Sequence, residues 1–271
     1  MTPESTPSEN AAAVRRFSRS AATYEGVAEV QAWLASALSD RIPERAPKAV
    51  LECGCGTGLL TRILAERWPD CAYAATDPAP GMLETARQKC PAPNLRFAEA
   101  DADHAEGPAD WVVSSSALQW SEALDRTLAH LWRQVNPGGG LAFSLMLDGT
   151  LREIHEERDR LFPGAAPARR LPEFDRVCGM RPGDAEVVVE EFLVRVLHYP
   201  RPREMWVALH GAGVTRGPFA PRPALTPAQL SRLSAALRDR HANLGAIPLT
   251  YHMACLVWRK PAAVDFPSKK G

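Results

Sequence analysis

The sequence predicts an α/β domain built on a mostly parallel sheet with helices packed around it. Three observations carry that reading. Short apolar runs alternate with segments of helical periodicity through the first half of the chain. One of these runs feeds directly into Gly54-Cys55-Gly56-Thr57-Gly58, a glycine turn of the kind that opens a helix at the carboxyl edge of such a sheet. The next two runs are followed by acids, Asp77 and Asp101, at the same edge.

Residues 1–13, rich in Thr, Ser, Pro and Ala, read as a disordered tail. From Val14 to Leu38 the positions Val27, Val30, Leu34 and Leu38 recur at three- and four-residue intervals, which predicts an amphipathic helix before the first strand. Strands are predicted at Ala49–Cys53, Ala72–Thr76, Leu95–Ala98 and Trp111–Ser114, with a fifth at Leu141–Leu147 and a helix over Leu59–Arg67. Leu124, Leu128, Leu131, Trp132 and Val135 share one helical face, and Asn136-Pro137-Gly138-Gly139-Gly140 stops that helix abruptly. Beyond residue 148 come a mixed-charge helix over Leu151–Leu161, Pro-rich connections, a long strand-like run at Glu186–Leu197, a helix over Pro227–Arg240 and a closing strand at Tyr251–Trp258. This divides the chain into an α/β core preceded by helix (14–148), a helical insertion with an added strand (149–245), a last strand returning to the core sheet (246–260) and a tail (261–271).

A chain with 45% hydrophobic and 24% charged residues is not a disordered, collagenous or disulfide-scaffold protein. Lys plus Arg and Asp plus Glu balance at 32 each, so the overall charge calls for neither nucleic acid nor a membrane surface as partner. The six cysteines are too sparse for a secreted framework and read as reduced thiols. With a polar start and no apolar stretch near the ~18 residues of a membrane span, the expected location is cytoplasmic.

The glycine spacing separates cofactors. A dinucleotide fold wants Gly-x-Gly-x-x-Gly with a pyrophosphate on the helix N-terminus. Here the third glycine comes one residue early, and Glu52 precedes the first by two. A carboxylate in that place accepts from an ammonium, which suits the amino-acid end of S-adenosylmethionine and suits a pyrophosphate badly. Asp77 ends the second strand, where a carboxylate accepts from ribose hydroxyls, and Asp101 follows the third, where it accepts from an adenine amino group. The plainer alternative is a glycine turn with solvated surface acids. Cys53-x-Cys55 lacks the further ligands of a zinc site and the seven histidines form no helical metal pattern, so no metal is expected.

Glu52–Gly58, Asp77 through Met82, Asp101 and Asn136-Pro137-Gly138-Gly139 resemble the class I S-adenosylmethionine-dependent methyltransferases. Arg16 through Tyr24, Ala117-Leu118-Gln119-Trp120, Gly149-Thr150-Leu151 and Pro248-Leu249-Thr250-Tyr251-His252 resemble, more specifically, the malonyl-acyl-carrier-protein O-methyltransferases of biotin biosynthesis. The resemblance implies a Rossmann-like, seven-stranded, mostly parallel sheet whose last strand is inserted antiparallel. It implies cofactor contacts from Glu52, Gly54, Cys55, Gly56, Gly58, Asp77, Pro78, Met82, Asp101, Ala102 and Ser115. Glu52 stands where the family usually has Asp, and Ser115 where Asn is common; Gly211–Arg222 is less family-like. Tyr24 reads from its residues as a core aromatic and from the resemblance as a lid over the site; Gln119 and Trp120 read as a pocket wall, and these three are the expected catalytic residues.

The expected reaction transfers a methyl group from S-adenosylmethionine to the free carboxylate of a malonyl thioester on acyl carrier protein, or on coenzyme A, leaving S-adenosylhomocysteine. Its alternatives are a related O- or C-methyltransferase acting on another carboxylate or a quinone precursor, and a non-catalytic S-adenosylmethionine-binding scaffold; a NAD-dependent oxidoreductase is disfavoured by the glycine spacing. A carboxylate with a pKa near ~3.5 is already ionised, so the reaction needs positioning rather than a base. An arginine on the non-attacking oxygen would supply that positioning, and spacing singles out none among Arg16, Arg203 and Arg216. Arg195, Arg201, Arg203, Arg216 and Arg222 crowd a segment whose acid is Glu204, either a solvated face or a landing strip for an acidic carrier protein.

Overall fold

Seven strands form one sheet in the order β3-β2-β1-β4-β5-β7-β6: β1 Ala49–Cys53, β2 Ala72–Thr76, β3 Leu95–Ala98, β4 Ala109–Ser115, β5 Val135–Met146, β6 Glu186–Tyr199 and β7 Ile247–Arg259. The structure is a computed structural model and describes residues 9–163, 171–213 and 225–263. The first five strands pair in parallel, and β7 runs antiparallel to β5 on one side and β6 on the other. The fold class and the antiparallel insertion of the last strand are as expected.

The central strands are buried on both faces, which is why they read as continuous apolar runs rather than alternating ones. Successive side chains still part company: Val50, Val113 and Ala142 enter one core layer, while Leu51, Val112 and Leu141 enter the opposite one. Helices α2 (Glu29–Arg41) and α3 (Leu59–Arg67) fill the first layer through Leu34, Leu38, Leu60 and Leu64. Helix α5 (Leu124–Gln134) fills the second through Leu128, Leu131 and Trp132.

The N-terminal reading needs correction. Helix α1 spans Glu9–Tyr24, so residues 9–13, read as tail, are its first turns, and the single helix expected over Val14–Leu38 is two. Gly26 and Val27 donate back to the carbonyls of Thr23 and Tyr24, closing a turn between α1 and α2. The glycine-rich stop after α5 also behaves differently from a loop: β5 begins at Val135, opposite Ala109 of β4, and after a bulge that includes left-handed Gly138 (φ 80°) it resumes pairing at Gly140, opposite Trp111. At Gly140 a Cβ would lie 2.3 Å from the Trp111 ring, so only hydrogen fits where these strands meet.

Residues 149–245 do not form a separate unit. They supply α6 (Arg152–Leu161), α7 (Phe174–Cys178), the edge strand β6, α8 (Pro202–Gly211) and α9 (Pro227–Arg240). Ile154, Met205, Leu209, Leu233 and Leu237 are buried in the same layer as α2 and α3. Helix α9 begins on a capping box in which Thr226 accepts from the Gln229 N–H and Gln229 accepts from the Thr226 N–H. Helices α7 and α8 carry no periodic apolar stripe long enough to be read from sequence.

The Gly149-Thr150-Leu151 and Thr250-Tyr251-His252 segments form a clasp. Leu151 N–H donates to the Thr250 carbonyl at 2.7 Å, and Thr150 Oγ1 donates to the His252 carbonyl at 2.9 Å. Buried Glu153 accepts the Thr250 N–H at 3.0 Å. Leu151 adopts the left-handed conformation (φ 57°) that starts α6, while a Cβ at Gly149 would strike the His252 ring at 2.3 Å. The clasp ties the start of α6 to β7.

The glycine turn after β1 separates steric from conformational cost. Gly54 (φ 75°) carries no room for a Cβ, which would meet that of Ala117 at 2.3 Å, whereas Gly56 (φ 55°) faces open space. Gly56→Ala should therefore lose only the left-handed strain of about 1–2 kcal/mol, and Gly54→Ala clearly more. Urea unfolding of the two variants checks this; equal losses would show that Ala117 yields freely.

Candidate active site

The site lies where the strand order reverses between β1 and β4, the place at which open α/β sheets bind ligands. The glycine turn is fastened there by its neighbour: the Thr76 carbonyl at the end of β2 accepts the N–H groups of Gly54 (2.8 Å) and Cys55 (2.9 Å). Asp77, one residue further, accepts the Gly56 N–H at 2.9 Å on Oδ2 and the Ala79 N–H at 2.8 Å on Oδ1. Burial pushes its carboxyl up to about 6, against the pull of those two donors.

Glu52 is 1% exposed, and its Oε2 accepts from Thr61 Oγ1 (2.7 Å) and the Tyr73 hydroxyl (2.8 Å). Burial outweighs both bonds and lifts the carboxyl to about 7. Asp101 differs from the other two acids. It is exposed, and its Oδ1 accepts the Asp103 N–H at 3.1 Å and pairs with His104 Nδ1 at 2.6 Å, which raises the pKa of that imidazole. The three acids therefore divide into two on the floor of the site and one at its rim.

One cavity of about 1250 Å³ gathers every expected site residue except one: Tyr24, Glu52, Gly54, Cys55, Gly56, Asp77, Pro78, Met82, Asp101, Ala102, Ser115, Gln119 and Trp120 all line it. Gly58 does not. It starts α3 in the left-handed conformation (φ 90°), and a Cβ there would meet Cys90 Sγ at 2.6 Å, so its smallness serves the packing of α3 against α4 (Pro80–Lys89) rather than a ligand.

The wall above the floor is aromatic. Phe17 meets Trp120 edge-on at 5.3 Å and Tyr24 at 6.3 Å between centroids. The Tyr24 hydroxyl is enclosed; burial and then the charges of Asp77 and Glu25 push its pKa well up, so it stays a neutral phenol. Burial likewise keeps the Cys55 thiol protonated. Gln119 donates Nε2 to the Ser116 carbonyl at 2.7 Å, but its Oε1 and the Ser116 Oγ are buried with no partner. Ser116 is itself left-handed (φ 56°), a strained backbone at the mouth of β4. Ser115 Oγ shares a hydrogen bond with Ser144 Oγ at 3.1 Å.

Several functional positions escape sequence reasoning. Glu25, in the turn after α1, accepts from Thr57 Oγ1 at 2.7 Å and pairs with Arg62 and Lys89, which hold its carboxylate below its ordinary pKa despite partial burial. It thereby fastens the turn after α1 to the glycine turn. Phe17 and Ser18 stood inside the Arg16–Tyr24 segment without a role; Ser18 Oγ accepts the Gly81 N–H at 2.8 Å, binding α1 to α4. In the arginine-rich segment, Arg195 pairs with Glu29 (2.9 Å) and lies over Trp33, and Arg201 pairs with Glu204. Arg203 is exposed at the cavity rim. Arg216 and Arg222 lie outside the described residues. Among the described residues no group of three His, Cys, Asp or Glu side chains is placed to hold a metal, and no helix is long and apolar enough to cross a membrane.

Residues 50–139 match the family described as a methyltransferase domain. Over 251 residues the chain is 32% identical to the malonyl-[acyl-carrier protein] O-methyltransferase of Anoxybacillus flavithermus, an alignment covering 88% of this chain and 93% of that one. The chain belongs to that family. It is an S-adenosylmethionine-dependent O-methyltransferase. The methyltransferase is also 36% identical over 258 residues to the biotin biosynthesis bifunctional protein BioCD of Bordetella avium, of which it spans 52%. A solved structure from Bacillus halodurans C-125, a candidate methyltransferase, shares the fold at a TM-score of 0.61 and 13% identity, covering 84% of this chain and 99% of that one.

The raised acids of this methyltransferase make a signed prediction. Glu52 ionises near 4.5 in an unfolded chain and near 7 in the folded one, so its folded form favours the proton. Its ionisation costs nothing below pH 4.5 and its full penalty above about 7, an upper bound of roughly 3 kcal/mol. Asp77 acts with the same sign between 3.8 and about 6. Ligand-free protein should therefore gain stability from pH 8 to 5.5 relative to Glu52→Gln, by a few degrees in thermal melts. Parallel profiles for the two proteins would contradict the raised carboxyl.

Proposed function

We propose that this methyltransferase transfers the methyl group of S-adenosylmethionine to the free carboxylate of a malonyl thioester carried on acyl carrier protein, in the service of biotin biosynthesis. The observation that carries the reading is a single cavity with two chemically distinct halves, in a chain of this family. One half has an acidic floor, Glu52 and Asp77, beside the Gly54–Gly56 backbone. The other is walled by Phe17, Tyr24, Trp120, Trp206 and the leucines of α9.

The floor fits S-adenosylmethionine. Buried carboxylates match an ammonium, a sulfonium and ribose hydroxyls, all of them cations or donors, and would repel a pyrophosphate. Open space beside Gly56 lets a ligand approach the turn closely. Glu52 would hold the amino-acid end, Asp77 the ribose, and Asp101 with Ala102 the adenine, with Pro78 and Met82 packing on the same molecule. The unpartnered Ser116 Oγ and Gln119 Oε1 are hydrogen-bonding groups that a bound molecule would satisfy.

When bound, S-adenosylmethionine supplies an electrophilic methyl group on a positive sulfur. The malonyl carboxylate arrives ionised, so the neutral Tyr24 phenol and Cys55 thiol have no proton to take. What the chain contributes is alignment and dryness. Attack joins opposite charges and disperses both, so the aromatic wall of Phe17, Tyr24 and Trp120 assists by excluding water. The carrier would meet the surface around the cavity mouth, where Arg203 stands exposed.

Labelled S-adenosylmethionine tests the activity. The label should enter malonyl-carrier protein as a methyl ester and should not enter acetyl-carrier protein; label appearing only in other acceptors would refute the assignment. Carrier docking predicts a salt effect as well. Arg203→Glu should lower kcat/KM for malonyl-carrier protein about tenfold at low salt, with the loss shrinking as salt screens the charges, and should change that for malonyl-coenzyme A less. An unchanged value for the carrier substrate would place docking elsewhere.

A further inference from the structure

The clasp at the start of α6 sets one face of that helix against the cavity. Leu151, Ile154, His155 and Arg158, spaced as neighbours along a helix, all line it. Arg158 ends that row, and its side chain is 5% exposed. Its Nε and Nη2 both donate to Asp159 Oδ1, at 2.9 and 2.6 Å, while Nη1 is buried with no partner. The Asp159 side chain is 64% exposed. The guanidinium is thus held from one edge by an acid standing in water, while Nη1 is left without an acceptor in a residue that lines the cavity.

A buried guanidinium edge without an acceptor is costly, and an anion removes that cost best. Among the described residues, the other arginines lining the cavity offer less. Arg203 is exposed to water, and Arg16 is half-buried and already engaged within the chain. His155, one turn before Arg158, is kept neutral by burial and by the neighbouring guanidinium, so it does not compete for an anion.

We propose that Arg158 recognises the malonyl carboxylate through Nη1, donating to the oxygen that does not attack the methyl group. This rests on the malonyl-thioester reading above and names the residue that selects for it. The Nε–Nη2 edge of a free arginine would grip both carboxylate oxygens in a fork and quench the nucleophile. Asp159 occupies that edge, so the donor left without a partner is Nη1, which holds one oxygen and leaves the other available. The contact also distinguishes substrate from product: the methyl ester carries no charge, so the same guanidinium that captures malonate lets its ester go.

The test compares malonyl- and acetyl-carrier protein binding by calorimetry in the presence of S-adenosylhomocysteine, alongside turnover. Arg158→Gln should weaken malonyl binding and raise its KM by about 30-fold or more. Acetyl binding and S-adenosylmethionine affinity should stay within about threefold of the parent, and Arg158→Lys should restore part of the malonyl preference. If the parent methylates malonyl thioesters and Arg158→Gln still prefers malonyl to acetyl as the parent does, the proposal is overturned while the activity stands. If the parent methylates no malonyl thioester, the activity reading falls and the proposal with it. Should Arg158→Gln fail to fold, Asp159→Ala decides through an exposed position: freeing the second edge should lower kcat severalfold without raising KM, and unchanged constants would overturn the proposal.

Discussion

The glycine turn after β1 keeps its shape because the end of β2 accepts its backbone donors, and the rest of the site is arranged around that fact. Three consecutive N–H groups, those of Gly54, Cys55 and Gly56, are taken by the Thr76 carbonyl and the Asp77 carboxylate. Without those acceptors a left-handed, glycine-rich segment has no reason to hold one conformation, since glycine loses more freedom on ordering than any other residue. The same Asp77 that braces the turn also faces the cavity, so the geometry of the turn and the charge of the floor are set by one side chain. Glu25 adds a second brace through Thr57 and thereby couples the end of α1 to the glycine turn.

Two buried carboxylates in one cavity are an unfavourable arrangement for the protein alone. Glu52 has two hydroxyl donors and Asp77 two backbone N–H groups, yet burial raises both above their ordinary range. The cost is relieved by a cationic, donor-rich ligand, so the ligand-free protein carries a destabilisation that binding removes. Exposed Asp101 bears no such cost. Its Oδ1 serves its own loop and His104, so it stands at the rim of the cavity rather than on its floor.

Elements set by strong local pattern were legible. The strands β1, β2 and β3, the helix α3 and the helix α9 coincide with their sequence boundaries, because buried parallel strands, a glycine entry and a Thr-Pro capping signal are each local. The errors share a different cause. The break between α1 and α2, the recruitment of Asn136–Gly140 into β5 and the helices α7 and α8 are decided by packing against distant parts of the chain, which local periodicity does not see. At the site, Glu52 and Asp77 line the cavity, where their distance to the glycine turn pointed. Gly58 does not line it: the motif draws all three glycines together, whereas the closeness of Cys90 ties the third to helix packing. Arg158 carried no signal at all, being one charge among many in α6.

That last position shows how a family's specific segments and its chemistry are linked. Gly149-Thr150-Leu151 and Thr250-Tyr251-His252 are distinctive in sequence, yet most of their polar groups are spent on one another and on Glu153. Their consequence is geometric. By fixing the left-handed start of α6 on β7, the clasp determines which face of the helix meets the cavity, and two turns later that face delivers a buried guanidinium. A rotation of α6 by one residue, about 100° in a helix, would turn Arg158 away and present Glu157 or Asp159 in its place, repelling an anionic substrate. The requirement for a positive group opposite an acidic floor thus reaches back along α6 to two threonines and a glycine whose hydrogen bonds and size set the helix on β7, so segments distinctive of the family act on selection through where they hold α6.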